Sequence, residues 1–314
     1  MRTVGLLVVA TLAAFAMLVA GCSIGTKSEG QLGHASFAWE ECFLGCSVAD
    51  NPMAAGGAQA EISVSLANGF TFQEVRSSNP AVATVGFAGG SKGLNLALTS
   101  ASPGQTQVQL VDGAGKLVDQ VTVTVTQTAK LNVSTGWNGA APIVVEGSTQ
   151  SFHVTTVDAN NHTLIGTGSV TFEIADPLQH EDRLLFGDSV AFSGHAGAGT
   201  ITARAPTTSV VQPVTIVPLT ALTSLSATVK ANSVDSVGTH GNVTVVANST
   251  AGAVYGVHCT WSIADPSVML ESETTTSALD SAPVSTTMFL LTKPGTFEAT
   301  CASGAVSTTV TLQR

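Results

Sequence analysis

The chain has 314 residues, of which 44% are hydrophobic, 10% charged and 5% aromatic. That apolar fraction excludes wholesale disorder, and the length implies more than one domain. The formal charge of -10, from 21 acids against 11 bases, argues against nucleic acid as a partner, because phosphate binding needs clustered Lys and Arg and none cluster here.

Residues 1–21 read as a targeting segment. Arg2 is the lone positive charge of the n-region, and Val4 to Ala20 is apolar or small throughout. This run is at the short limit for a membrane span and leads directly into small residues. It ends in Leu18-Val19-Ala20-Gly21-Cys22, which resembles the lipobox of bacterial lipoproteins. The resemblance implies that Cys22 is acylated and becomes the first residue of the mature chain, so that the membrane is a partner through this anchor. One acyl chain holds a protein reversibly, whereas two or three, at about 0.8 kcal/mol per buried methylene, hold it firmly. Ser23 stands where an Asp would signal inner-membrane retention, which implies the outer membrane of a two-membrane envelope.

Residues 22–41 follow as the lipidated Cys and a tether, polar at first. The segment Phe37-Ala38-Trp39-Glu40-Glu41-Cys42-Phe43-Leu44 is unusually aromatic for this chain. It either covers the open end of the first folded module or presents Trp39 to a ligand near the membrane. Five cysteines occur. With Cys22 taken by lipid, four remain, and an oxidising compartment favours pairing Cys259 with Cys301 and Cys42 with Cys46. The first bridge closes a loop of roughly 40 residues, worth about 3–4 kcal/mol. The second needs a backbone turn. Neither pair has ligand-spaced partners for a metal, and neither is a C-x-x-C redox motif.

From residue 55 onward, period-two alternation dominates, as in Val121-Thr122-Val123-Thr124-Val125 and Asn242-Val243-Thr244-Val245. It predicts antiparallel strands with one buried face, punctuated every 8–12 residues by turn formers, which favours sandwiches over βαβ units. Three landmarks recur about 90 residues apart in the same order. The first is a Gly before an alternating strand, at Gly56-Gly57, Gly147 and Gly238. The second is Asn79-Pro80, Asp176-Pro177 and Asp265-Pro266, a strand terminator. The third is a strand opened by Gly104, Gly199 or Gly295. Val75, Phe172 and Trp261 lie four residues before each Asx and are predicted core anchors; Cys259 shares the face of Trp261.

The run Arg76-Ser77-Ser78-Asn79-Pro80-Ala81-Val82-Ala83-Thr84-Val85, followed by Pro103-Gly104 and an alternating strand, resembles the bacterial Ig-like family, group 2. The resemblance implies an all-β chain of three tandem Ig-like β-sandwiches, 42–128, 129–220 and 221–314. It implies no catalytic residues and no cofactor. No nucleophile elbow, P-loop, H-E-x-x-H, calcium loop or dinucleotide glycine triplet is present. Gly89-Gly90-Ser91-Lys92-Gly93 reads as a hairpin turn and His180-Glu181-Asp182-Arg183 as a solvated loop. His153 reads as an outward strand residue and His195 as a turn residue, and Glu271 with Glu273 lacks the marks of a glycosidase pair. Sugar stacking needs exposed aromatics, which leaves Trp39 and Trp137 as contacts for a glycan or protein ligand. The sequence therefore predicts a non-catalytic, lipid-anchored envelope protein serving as a stalk or interaction scaffold, the alternative being an adhesin or glycan- or protein-binding surface lipoprotein.

Overall fold

A computed structural model describes residues 27–41, 46–90, 94–133, 141–182, 187–234, 239–265, 267–275 and 284–314. The chain is all-β: apart from two short 3-10 turns, every element among these residues is a strand. The chain divides into two compact units. The first runs to Asn132 and includes Thr155–Thr171 and Arg204–Ser209; the second comprises Val133–Val154, Phe172–Ala203 and Val210–Arg314.

In the first unit, two sheets enclose one core. One sheet orders Ser28–Glu29, Ala35–Trp39, Gln59–Leu66, Asn95–Ser100 and Ala83–Phe87, with Cys46–Ser47 paired beside Ala35–Trp39. The other orders Met53–Ala54, Leu117–Thr126, Gly104–Val111 and Glu74–Ser77. The alternating residues sort as their period demands: Ala60, Ile62 and Val64 point inward from one sheet, Val121, Val123 and Val125 from the other. Phe37, Trp39, Met53, Leu96 and Leu110 complete a core of fully buried side chains.

Residues 28–39 are thus strands of the first sandwich, whereas the sequence placed them in the tether. Two forces recruit them. Phe37 and Trp39 bury their rings completely, worth several kcal/mol. The fully buried Asp119 carboxylate accepts the amides of Leu32 at 2.9 Å, His34 at 2.7 Å and Ala35 at 2.7 Å, which are donors that a turn would otherwise leave to solvent. Gly30 is required there, because a Cβ would overlap the Asp119 carboxylate.

Two pieces of the second repeat complete this unit. Ile165 forms a parallel bridge with Met53, Thr167 pairs with Gln59, and Leu164 and Ile165 enter the core. Four backbone bonds of 2.7–2.9 Å make the seam: Ala54 N–H to Ile165 O, Ile165 N–H to Pro52 O, and Gln59 and Thr167 exchanging both.

In the second unit, Gln150–Val157, Ser189–Gly194 and Leu178–Glu181 pair antiparallel. A nine-stranded sheet orders Thr171–Ile174, Gly197–Ala205, Thr208–Val217, Ile143–Val145, Gly252–Tyr255, Thr239–Ser249, Val284–Leu291 and Val268–Thr275, with Leu222–Val234 also on Thr239–Ser249. Facing it is a sheet of Thr260–Ile263, Thr296–Ser303 and Val306–Gln313. Between them lie Val243, Phe289, Leu291, Ala299, Cys301 and Leu312. Ile143–Val145 joins the second and third repeats, lying parallel to Thr215–Val217 on one side and to Val254–Tyr255 on the other.

The repeat landmarks have physical counterparts. Gly104, Gly197 and Gly295 share a φ of 150–151°, a backbone that side chains avoid. The strand-opening glycine of the second repeat is therefore Gly197, two residues before Gly199, which the sequence had aligned there. Asp265 accepts the amide of Ser267 at 2.7 Å, the Asx turn anticipated at that landmark.

Candidate functional site

The three anchor positions are half-buried rather than fully enclosed. Each lies on a short strand whose burial alternates between exposed and half-buried, at the margin of its sheet. Val75 packs against the first core. Phe172 meets Phe152 edge-on at 6.2 Å, and it is Phe152 that is fully buried. Trp261 meets Phe289 edge-on at 5.0 Å and donates its indole N–H to Thr287 Oγ1 at 3.0 Å. Trp261 also pairs in register with Cys301. Cys259 and Cys301 are bridged, with Cα atoms 5.2 Å apart and 42 residues of separation, within the core of the second unit. Cys46 is fully buried and disulfide-bonded. Cys22, Cys42 and Trp137 lie outside the described residues.

Trp39 is no ligand contact. It is wholly buried, and its indole N–H donates to the Asn51 carbonyl at 3.0 Å. The five-residue strand Ala35–Trp39 carries it inward, and a buried indole needs an acceptor for its one donor.

The remaining polar candidates disperse. His180 lies 3.6 Å from Asp182, both well exposed. His153, read as an outward residue, is half-buried. Its Nε2 is buried without a hydrogen-bond partner, and loss of water pushes its pKa down. The Gly89–Gly90 stretch forms a short 3-10 turn. Among the described residues, no group of three or more His, Cys, Asp or Glu converges as a metal site would require.

The second unit carries an open concavity. A cleft of about 650 Å³ is lined by Val145–Thr149, Leu219, Gly256, His258, Thr260 and Ala302–Gly304. Glu146 is its carboxylate, 3.3 Å from His195 Nδ1 and 3.3 Å from the Ala196 amide. Ser148 donates to the Val145 carbonyl at 2.8 Å and so is engaged with backbone rather than with a base. Gln150, behind it, donates to Ser148 at 3.5 Å, while its Oε1 is buried without a partner. This arrangement can accept hydrogen bonds from a ligand; a nucleophile paired with a base is not assembled here. Sequence reasoning missed the Glu146–His195 pair, whose members are separated by 49 residues, and missed Asp119. The signal for Asp119 was available: it is an acid in phase with the inward Val121, Val123 and Val125.

No family model matches the chain, and no curated protein matches it. Solved structures of several bacterial tandem-domain proteins are similar to it. The S-layer protein rSbsC(31-844) is 16% identical over 92% of this chain and 41% of that one, with a TM-score of 0.33. Invasin, described as a bacterial integrin-binding protein, is 14% identical over 92% and 60%, with a TM-score of 0.28. The D00-D0 domain of intimin is 14% identical over 59% and 98%, with a TM-score of 0.24. Domains 4-9 of the surface layer protein SbsC are 19% identical over 82% of this chain, which spans 42% of that structure.

Proposed function

We propose that this chain is a lipid-anchored, non-catalytic cell-envelope protein, held in the outer membrane through Cys22, whose three Ig-like modules (the first extended back to Ser28 by its N-terminal strands, then 129–220 and 221–314) act as a stalk or interaction scaffold. The observation that carries this reading is how the repeats are joined. A string of independent binding modules would be linked by solvated chain. Here backbone pairing seals the first junction through Pro52–Gln59 and Ile165–Thr167. It seals the second through Ile143–Val145, between Thr208–Val217 and Gly252–Tyr255. Each seam lies within one compact unit and merges strands of two repeats there, which suits a structural building block. The lipobox supplies the anchor, and the acidic, Thr- and Ser-rich surface suits solubility. The second reading, a surface binder of protein or glycan, is favoured by the cleft at Glu146.

Fatty-acid labelling in the producing cell tests the anchor: label is expected on the native chain and absent from Cys22→Ser. An unlabelled native chain overturns the anchor. Hydrogen exchange tests the joints. The Ala54 amide, bonded to Ile165, and the amides of Ile143–Val144 and Val254–Tyr255, paired across the second joint, are expected to exchange slowly, and rapid exchange at both joints would dissolve the scaffold reading. Protease shaving of intact cells then distinguishes surface display, in which the last module is lost, from a periplasmic role, in which it is protected.

A further inference from the structure

An Asn or Asp side-chain carbonyl can close a ring onto the next backbone nitrogen, and a glycine at that next position puts no side chain in the way. The sequence holds three such steps, Asn68-Gly69, Asp112-Gly113 and Asn138-Gly139. The last lies outside the described residues. The fold treats the other two in opposite ways.

Asp112 is held. Its Oδ1 accepts the amides of Ala114 and Lys116, both at 2.9 Å. The space at Gly113 is also taken, since a Cβ there would stand 3.0 Å from the Gln73 side chain. A carboxylate fixed by two amides must give up both bonds before it can swing onto the nitrogen beside it. Asn68 has no such restraint. It and Gly69 are exposed, in the loop between Gln59–Leu66 and Glu74–Ser77. Among the described residues nothing bonds to the Asn68 side chain or to the Gly69 N–H. The space around Gly69, whose φ is 89°, is open: a Cβ built there would meet nothing within 4 Å.

We infer that Asn68 is a site of spontaneous covalent modification, deamidating to isoaspartate and aspartate through a cyclic imide with Gly69, while its bonds spare Asp112. The inference does not depend on the lipid anchor. Asn is chemically labile, and the only co-reactant is water. The Gly69 nitrogen gives up its proton and attacks Asn68 Cγ. The N–Cγ bond forms, the Cγ–Nδ2 bond breaks, and Nδ2 takes up a proton and leaves as ammonia. Water then opens the imide. Cleavage between Cγ and the Gly69 nitrogen leaves aspartate. Cleavage at the main-chain carbonyl of residue 68 leaves isoaspartate, with a backbone that runs through Cβ and is one atom longer. Either product adds a negative charge. The longer backbone no longer fits the turn closed by the Phe70 N–H on the Ala67 carbonyl at 3.2 Å. That turn ties the loop to the N-terminal strands, because the Ala67 N–H donates to the His34 carbonyl at 2.8 Å and the Phe70 ring stacks on the His34 ring at 3.9 Å.

The test incubates the folded full chain in neutral buffer beside synthetic peptides of residues 64–72 and 109–117. Peptide mapping, with fragmentation that separates isoaspartate from aspartate, follows both sites. Asn68 is expected to convert at a rate within about tenfold of its free peptide, mainly to isoaspartate, and Asp112 to isomerise at less than about a tenth of the rate in its own peptide. Hydrogen exchange at Phe70 should be faster in the converted fraction. An Asn68 amide that stays intact after its peptide has converted overturns the inference. Isoaspartate arising at Asp112 as fast as in its peptide overturns the protection assigned to the Ala114 and Lys116 amides. Unchanged exchange at Phe70 in converted chains overturns the link to the turn.

Discussion

Replacing Asp119 gives the sharpest test of how the N-terminal strand is held. The carboxylate is completely buried and accepts four backbone amides: Leu32 at 2.9 Å, His34 at 2.7 Å, Ala35 at 2.7 Å and Gln120 at 2.8 Å. A hydrogen bond to a charged acceptor contributes about 1.5–3 kcal/mol, and an orphaned buried donor costs about 1–3 kcal/mol. These terms are not additive, and the Leu32 and His34 amides, near the surface, recover water once the turn loosens. Asp119→Ala is therefore expected to cost about 3–5 kcal/mol, and Asp119→Asn, which keeps one acceptor oxygen, about 1–2 kcal/mol. The assay is hydrogen exchange on the soluble Cys22→Ser chain, because local opening is well defined in a multidomain protein where a single global unfolding energy is not. Exchange at Leu32, His34 and Ala35 should accelerate by two to three orders of magnitude or more in Asp119→Ala, at about 1.4 kcal/mol per tenfold, with the second unit unchanged. Gly30→Ala, whose Cβ would overlap the same carboxylate, should accelerate the same amides. Exchange at these three positions that stayed at its parental rate in Asp119→Ala would refute the role of the carboxylate in holding the strand.

Other contacts lead to measurable outcomes of their own. Cys259→Ala with Cys301→Ala opens a loop closed over 42 residues of separation and should destabilise the second unit by about 4 kcal/mol, read as a lowered urea midpoint against the oxidised parent; an unchanged midpoint refutes it. Phe152→Ala should cost about 3–5 kcal/mol and Phe172→Ala about 1–2 kcal/mol, since the first ring is fully buried and the second half-buried; equal losses would show that burial is not what distinguishes them. Burial lowers the His153 pKa from its ordinary 6.5, so the unfolded chain binds the extra proton first. Stability should be complete above pH 6.5 and fall as pH drops below it, down to the depressed folded value. His153→Gln should remove that slope, and a slope that persists would assign it to another group.

The limits of what could be read locally are visible in the same residues. Alternation in Val121–Val125 announced a strand and its inward face because the side-chain period of two is a property of the extended backbone itself. The Asx landmarks were legible because their chemistry acts within a few residues, and the Cys259–Cys301 pairing because few partners existed. Trp39 was not decided locally: an aromatic near a terminus looks alike whether it faces solvent or a core. Its burial was set by Asp119, distant in the chain but bonded to the turn that carries the strand inward. Gly199 was taken for Gly197 because a glycine's φ is invisible in a string of letters.

Periodicity and spacing alone were enough to show that this chain is all-β and carries three recurring landmarks, since both are properties of short stretches of backbone. It took folding to place Ser28–Glu29 and Ala35–Trp39 in a sheet rather than a tether, to join the repeats by shared backbone pairing, and to bring Glu146 to His195. The physical reason is range: backbone propensity and turn chemistry act over a handful of residues, whereas strand pairing and the satisfaction of a buried charge join groups that come together only when the sheets close.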